Sequence, residues 1–70
     1  MMPLTMMKEG EPGTIKKIGG KEEMRRFLEN LDFVAGGVVT IIAETGGNII
    51  VNVKNSRVAI GKDMANKIYV

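Results

Sequence analysis

The chain has 70 residues, a net charge of +2 from ten Lys and Arg against eight Asp and Glu, and neither Cys nor His. That length makes one domain, near the size at which a single core only just outweighs chain entropy, and it excludes a second lobe. The missing residue types exclude disulfides, thiol chemistry and soft metal ligands, so metal binding would rest on oxygen alone, and the small, mixed charge is far from the basic stripe of a nucleic-acid reader.

Residues 1–10 are apolar in part but broken by Pro3 and Lys8, too early for the centre of a secretory signal. The longest weakly polar run, residues 33–43, contains Gly36, Gly37 and Thr40 and is about half the roughly 20 residues of a membrane span. Both features predict a cytoplasmic protein without direct membrane insertion. Residues 1–7 read as an extended lead-in with Leu4 and either Met6 or Met7 tucked against the body. The cluster KEGEPG, residues 8–13, predicts a turn, because Pro12 presets its own backbone and the glycines allow positive φ. Residues 14–18 then read as a first strand. Its Ile15 and Ile18 are not two apart, which predicts a bend or bulge near Lys16 and Lys17, and Gly19 and Gly20 end it.

Residues 21–31 carry the pattern of a short amphipathic helix. Met24, Phe27, Leu28 and Leu31 recur at i, i+3, i+4 and i+7 on one face, with Arg25, Arg26, Glu29 and Asn30 on the other. Glu22 and Glu23 suit the positive end of the helix dipole. No Ser, Thr, Asp or Asn precedes them, so Gly20 is the expected N-cap. Residues 38–44 (VVTIIAE) and 48–54 (NIIVNVK) are β-branched runs joined by a glycine turn into an antiparallel hairpin. Asn55 and Ser56 predict a second tight turn, residues 57–60 a further strand, residues 61–66 a single helical turn, and residues 68–70 a last short strand. Five short strands with a meander at the centre and one inserted helix make a mostly β chain, a small closed or half-closed barrel.

Alternation divides the hairpin into faces. Val39, Ile41, Ala43, Ile49, Val51 and Val53 are the expected core set, which leaves Val38, Ile42 and Ile50 outside. Two readings of that outer set stand side by side. Either the helix or a terminal segment covers it, or it is a contact patch for a partner or for a second copy in a homo-oligomer.

No enzyme constellation emerges. No His can activate Ser56 or a Thr, no Cys nucleophile exists, and the adjacent pairs Glu9 with Glu11 and Glu22 with Glu23 are most simply solvated charges. Gly19, Gly20 and Lys21 only faintly resemble a phosphate loop and are better explained by a sharp strand-to-helix turn. Arg25 and Arg26, with Lys54 and Arg57 beside the second turn, form either a solvated face or a small basic contact surface. Two Phe, one Tyr and no Trp make poor platforms for stacking bases. The expectation is a non-enzymatic protein with no catalytic residues, no cofactor and no bound metal, and with no nucleic acid as partner.

Several residues together resemble the ferrous iron transport protein A (FeoA) family. They are Leu4, the Gly10 and Gly13 turn leading to Ile15 and Ile18, Gly20, the run RRFLENL ending at Leu31, Phe33, Gly36, the 55–60 segment with Ala59, Ala65, and Ile68-Tyr69-Val70. Each is a loose pattern of glycine and aliphatic spacing, but their joint order spans residues 4–70. The resemblance implies an SH3-like barrel with an inserted helix. It further implies a cytosolic accessory protein of bacterial ferrous iron uptake, acting on the large membrane iron transporter through that partner's GTP-binding region. It carries no catalytic or iron-binding residues onto this chain, and the lack of His and Cys argues against the chain holding iron itself. The alternative is an SH3-like regulatory module related to the C-terminal domain of iron-dependent repressors, against which stand the short chain and the missing DNA-binding domain. At one point the chain departs from the family pattern: Asp32 stands where glycine would follow the helix's last leucine, in a place that favours the left-handed backbone.

Overall fold

The computed structural model describes residues 1–70. A 3-10 turn at Leu4–Met6 is followed by β1 (Pro12–Thr14), β2 (Lys17–Ile18), α1 (Glu22–Asn30), β3 (Val38–Thr45), β4 (Asn48–Val53), β5 (Ser56–Gly61), α2 (Lys62–Ala65) and β6 (Ile68–Tyr69). All pairings are antiparallel and fall into two sheets, β1-β3-β4-β5 and β2-β6.

The bend expected near Lys16 is sharper than a bulge. Ile15 N–H donates to the Gly37 carbonyl at 2.8 Å beside β3, and Lys16 N–H donates to the Tyr69 carbonyl at 2.7 Å beside β6. The expected single strand over 14–18 is therefore two strands serving different sheets. For the same reason the ladder does not close into a hydrogen-bonded barrel: the larger sheet ends at β1 on one side and β5 on the other. The lead-in is also more structured than expected, since Leu4 opens the 3-10 turn and is fully buried. Met7, not Met6, packs inward, with its sulfur over Gly13.

Both hairpin turns have two residues, and each sets the register that follows. Between β3 and β4, Thr45 faces Asn48 across Gly46 and Gly47; Gly46 alone has positive φ, at 58°, the sign pattern of a type II′ turn. Between β4 and β5, Lys54 and Asn55 both take positive φ, 48° and 63°, as a type I′ turn requires. This turn lies one residue earlier than the expected Asn55–Ser56. Val53 consequently faces Ser56, which sets Val58 and Ile60 opposite Val51 and Ile49 on the core side. A one-residue slip would send both to the outer face.

The core is one cluster of buried apolar residues drawn from both sheets, both helices and the connections: Leu4, Ile15, Leu28, Phe33, Val39, Ile41, Ile49, Val51, Val53, Ile60, Ala65 and Ile68. Ala43 is not among them. A bulge leaves Ile42 unpaired between the Ile41–Val51 and Ala43–Ile50 pairs, so beyond it Ala43 shares the outer face with Ile50.

α1 starts one residue later than expected. Its N-cap is Lys21 in extended conformation, without a side-chain cap bond, while Gly20 supplies the preceding turn at φ 89°. Of its expected apolar face, Leu28 is fully buried, Met24 and Leu31 pack partly against the core, and Phe27 at the margin is 48% exposed. The helix ends in a Schellman arrangement: Phe33 N–H donates to the Leu28 carbonyl at 3.0 Å and Asp32 N–H to the Glu29 carbonyl at 2.9 Å. Leu28 and Phe33, which flank this closure, are both fully buried.

Asp32 has φ 72°, so the exit is left-handed as its place after the helix demands. A side chain costs free energy there, and the carboxylate lies near the negative end of the helix dipole. Its one ion-pair partner is Lys54 Nζ at 3.9 Å, with both side chains more than half exposed, a pair worth little. Asp32→Gly is therefore expected to raise stability by about 1 kcal/mol. The check is the midpoint of chemical denaturation, which should rise; an unchanged or lowered midpoint would mean that the Lys54 contact outweighs the backbone gain.

Candidate protein-binding surface

The outer face of the larger sheet is set by cross-strand pairs. Thr14 faces Val38; Pro12, Thr40, Asn52 and Arg57 form one row across the strands; Ala43, Ile50 and Ala59 form the next. Residues directly opposite one another point to the same side, so each row lies on the face away from Val51 and Ile49. No helix covers Val38, which is 54% exposed; Ile42 is 38% exposed at the bulge, and Ile50 is half-buried between its small neighbours Ala43 and Ala59. A shallow hollow in this face is lined by Val38, Thr40, Asn52, Lys54 and Asn55.

Of the residues singled out from sequence, the fold thus brings Val38, Ile50 and Arg57 onto one face, with Ile42 at the bulge beside it. Arg25 and Arg26 belong to a different place. They line a charged hollow on α1 with Glu22 and Glu29, where Arg26 donates to Glu22 at 2.8 Å one helical turn away. The four cations of the expected basic surface do not pool. Lys54 pairs with Asp32, Arg26 with Glu22, and Arg25 and Arg57 have no carboxylate within ion-pair reach.

No three His, Cys, Asp or Glu side chains converge as a metal site would need, and no polar side chain is buried. The Gly19–Gly20 pair serves packing, because a Cβ on Gly19 would meet the Tyr69 ring at 3.2 Å and one on Gly20 the Met24 sulfur at 3.3 Å. No helix is long and apolar enough to cross a membrane.

The FeoA domain model matches residues 2–70. The chain belongs to the FeoA family. A relative from Methanocaldococcus jannaschii, named a putative Fe(2+) transport protein A, is 38% identical over the whole of this chain and 85% of its own length. Among solved structures, a FeoA described as an iron uptake regulatory protein superposes with a TM-score of 0.86 at 31% identity, over 96% of this chain and 89% of that one. A FeoA from Stenotrophomonas maltophilia, solved with zinc and described as a prokaryotic SH3 domain protein, superposes at 0.87 with 22% identity, over all of this chain and 89% of that one. The SH3-like fold follows. A manganese-dependent transcriptional repressor also superposes, at 0.88 with 22% identity, over 97% of this chain but 39% of its own length, a likeness of fold alone.

Exposed features outside the set drawn from sequence include Met1, Met2 and Met6 in the lead-in, the Phe27 ring, whose helical spacing assigns it to the core, and the free edge of β5, which no side-chain pattern reveals. If the outer face is a surface in the free protein, changing it leaves folding intact. Val38→Ser and Ile42→Ser are each expected to shift stability by about 0.5 kcal/mol or less, against about 2–5 kcal/mol for Ile41→Ala in the core. Thermal unfolding of the three variants side by side checks this.

Proposed function

We propose that this FeoA-family chain is a small cytoplasmic accessory protein of ferrous iron uptake, which binds the cytosolic GTP-binding region of the membrane iron transporter and modulates its activity or assembly. The observation that carries the reading is an SH3-like domain, matched to the family over residues 2–70, that leaves Val38 and Ile42 uncovered on a largely uncharged sheet face. Exposed apolar residues gathered on one face favour a protein contact, and the cations Lys54 and Arg57 at its rim suit an acidic border on the partner. The protein acts by contact: with no His, no Cys and no buried polar group, its chemistry is recognition. The name of the M. jannaschii relative supports iron as the cargo of the system, and the chain itself offers no soft ligand to hold it.

The test is retention of the transporter's cytosolic GTP-binding domain on the immobilised protein. The wild-type chain is expected to retain the domain, and Val38→Asp with Ile42→Asp to weaken binding at least tenfold. Tight, salt-sensitive shifting of duplex DNA or RNA, with no retention of the domain, would overturn the reading in favour of a nucleic-acid module.

A further inference from the structure

The main-chain bonds of the larger sheet leave one long edge open. Lys62 N–H donates to the Gly47 carbonyl at 2.9 Å, just beyond the Asn48–Gly61 pair. That bond fixes the phase of the ladder: in an antiparallel pair, hydrogen-bonded positions alternate, so Ser56, Val58 and Ile60 bond to Val53, Val51 and Ile49. The N–H and C=O groups of Arg57, Ala59 and Gly61 then point away from β4. No strand pairs with that side of β5, and none of the three N–H groups donates to a loop or cap carbonyl; of the three carbonyls, that of Gly61 accepts the first bond of α2, whose N-cap it is.

An edge of this kind is usually blunted by proline, by short length or by charge. β5 has six residues, no proline, and Arg57 as its one charge. Beyond Arg57 this face of β5 is small: Ala59, which faces Ile50 across the ladder, is followed two places on by Gly61, so a large side chain on an added strand can rest beside Ile50 without a clash. Arg57 on the same face has no carboxylate within ion-pair reach.

We propose that the free edge of β5 accepts an extended segment of the partner protein as a further antiparallel strand. The segment bonds to the main chain of Arg57 and Ala59 and to the Gly61 N–H, sets an apolar side chain against Ile50 and Ala59, and places a carboxylate beside Arg57. Strand addition draws affinity from main-chain bonds and selectivity from alternate side chains, which is what this edge and face together offer. A foreign segment fits better than a second copy, because Arg57 seeks an acidic residue and the exposed part of β5 carries none to return. The proposal rests on the protein-binding reading above and names the element that makes the contact.

The test is amide hydrogen exchange of the full chain, followed by NMR, with two probes: the transporter's cytosolic GTP-binding domain, and decapeptides selected on the chain from a random library. Binding of either probe is expected to slow exchange at Arg57, Ala59 and Gly61 at least tenfold, while Val58 and Ile60, already bonded to β4, stay unchanged. Ala59→Pro removes an outward N–H without touching a bond to β4 and is expected to weaken binding at least tenfold. Arg57→Glu keeps the edge and is expected to weaken acidic peptides several-fold, less so in high salt. Should the domain bind with these three amides still exchanging freely, the strand proposal fails and the transporter reading stands. Should selected peptides protect the three amides while the domain does not bind, the strand proposal stands and the transporter reading fails. Failure of both probes overturns both. Protection without any probe, together with a dimer in sedimentation, would replace the foreign segment by a second copy.

Discussion

The Leu28 carbonyl accepts the Phe33 N–H, and the rest of the domain depends on that closure. Leu28 is the one fully buried residue of α1, and Phe33 is the largest fully buried side chain in the chain. The same few atoms therefore end the helix, pin it to the core and aim the chain toward β3. Removing a ring such as that of Phe33 would cost about 3–5 kcal/mol, comparable to the whole stability a domain of this size has to spare. The left-handed residue that makes the turn is Asp32, and Lys54, itself left-handed in the β4–β5 turn, reaches back to it. Two strained positions thus face each other at one end of the molecule, one closing the helix and the other fixing the register of β5.

That register, and the bulge at Ile42, decide what the protein shows to its surroundings. Up to the bulge, β3 turns Val39 and Ile41 inward; beyond it, Ala43 joins Ile50 and Ala59 outside. The outcome is a face on which Ala43, Ile50 and Ala59 lie beside a polar row of Thr40, Asn52 and Arg57, with Val38 and Ile42 open to solvent and an unpaired strand at its edge. The core holds no polar side chain and the surface holds no cluster of ligands.

Much of this was legible in the sequence, for physical reasons that differ by element. Helical spacing of Met24, Leu28 and Leu31, two β-branched runs around a glycine pair, and the bend implied by Ile15 and Ile18 all map to structure, because burial imposes those periods on the chain. Phe27 fits the period too, yet it sits at the margin of the buried stripe, where a nine-residue helix against a small core runs out of surface to cover. The Lys54–Asn55 turn lies one residue before the Asn55–Ser56 that the sequence suggests, because Lys gives no signal of positive φ. The outer positions of Val38, Ile42 and Ile50 were readable from alternation. The change of phase at Ile42, which moves Ala43 to their side, was not, since a bulge leaves no mark in residue type. The open edge of β5 lies furthest from sequence, because it is a property of hydrogen-bond phase and of what does not pair.

The proposed contact with the partner runs through the outer face of β3 to β5. The most direct measurement is methyl NMR of an Ile- and Val-labelled chain, titrated with the transporter's cytosolic GTP-binding domain. The methyl groups of Val38, Ile42 and Ile50 are predicted to shift together, while those of the buried Ile41, Ile49, Val51 and Ile60 hold their positions. Shifts confined to residues around α1, or a wholesale change of the buried methyls, would contradict the account.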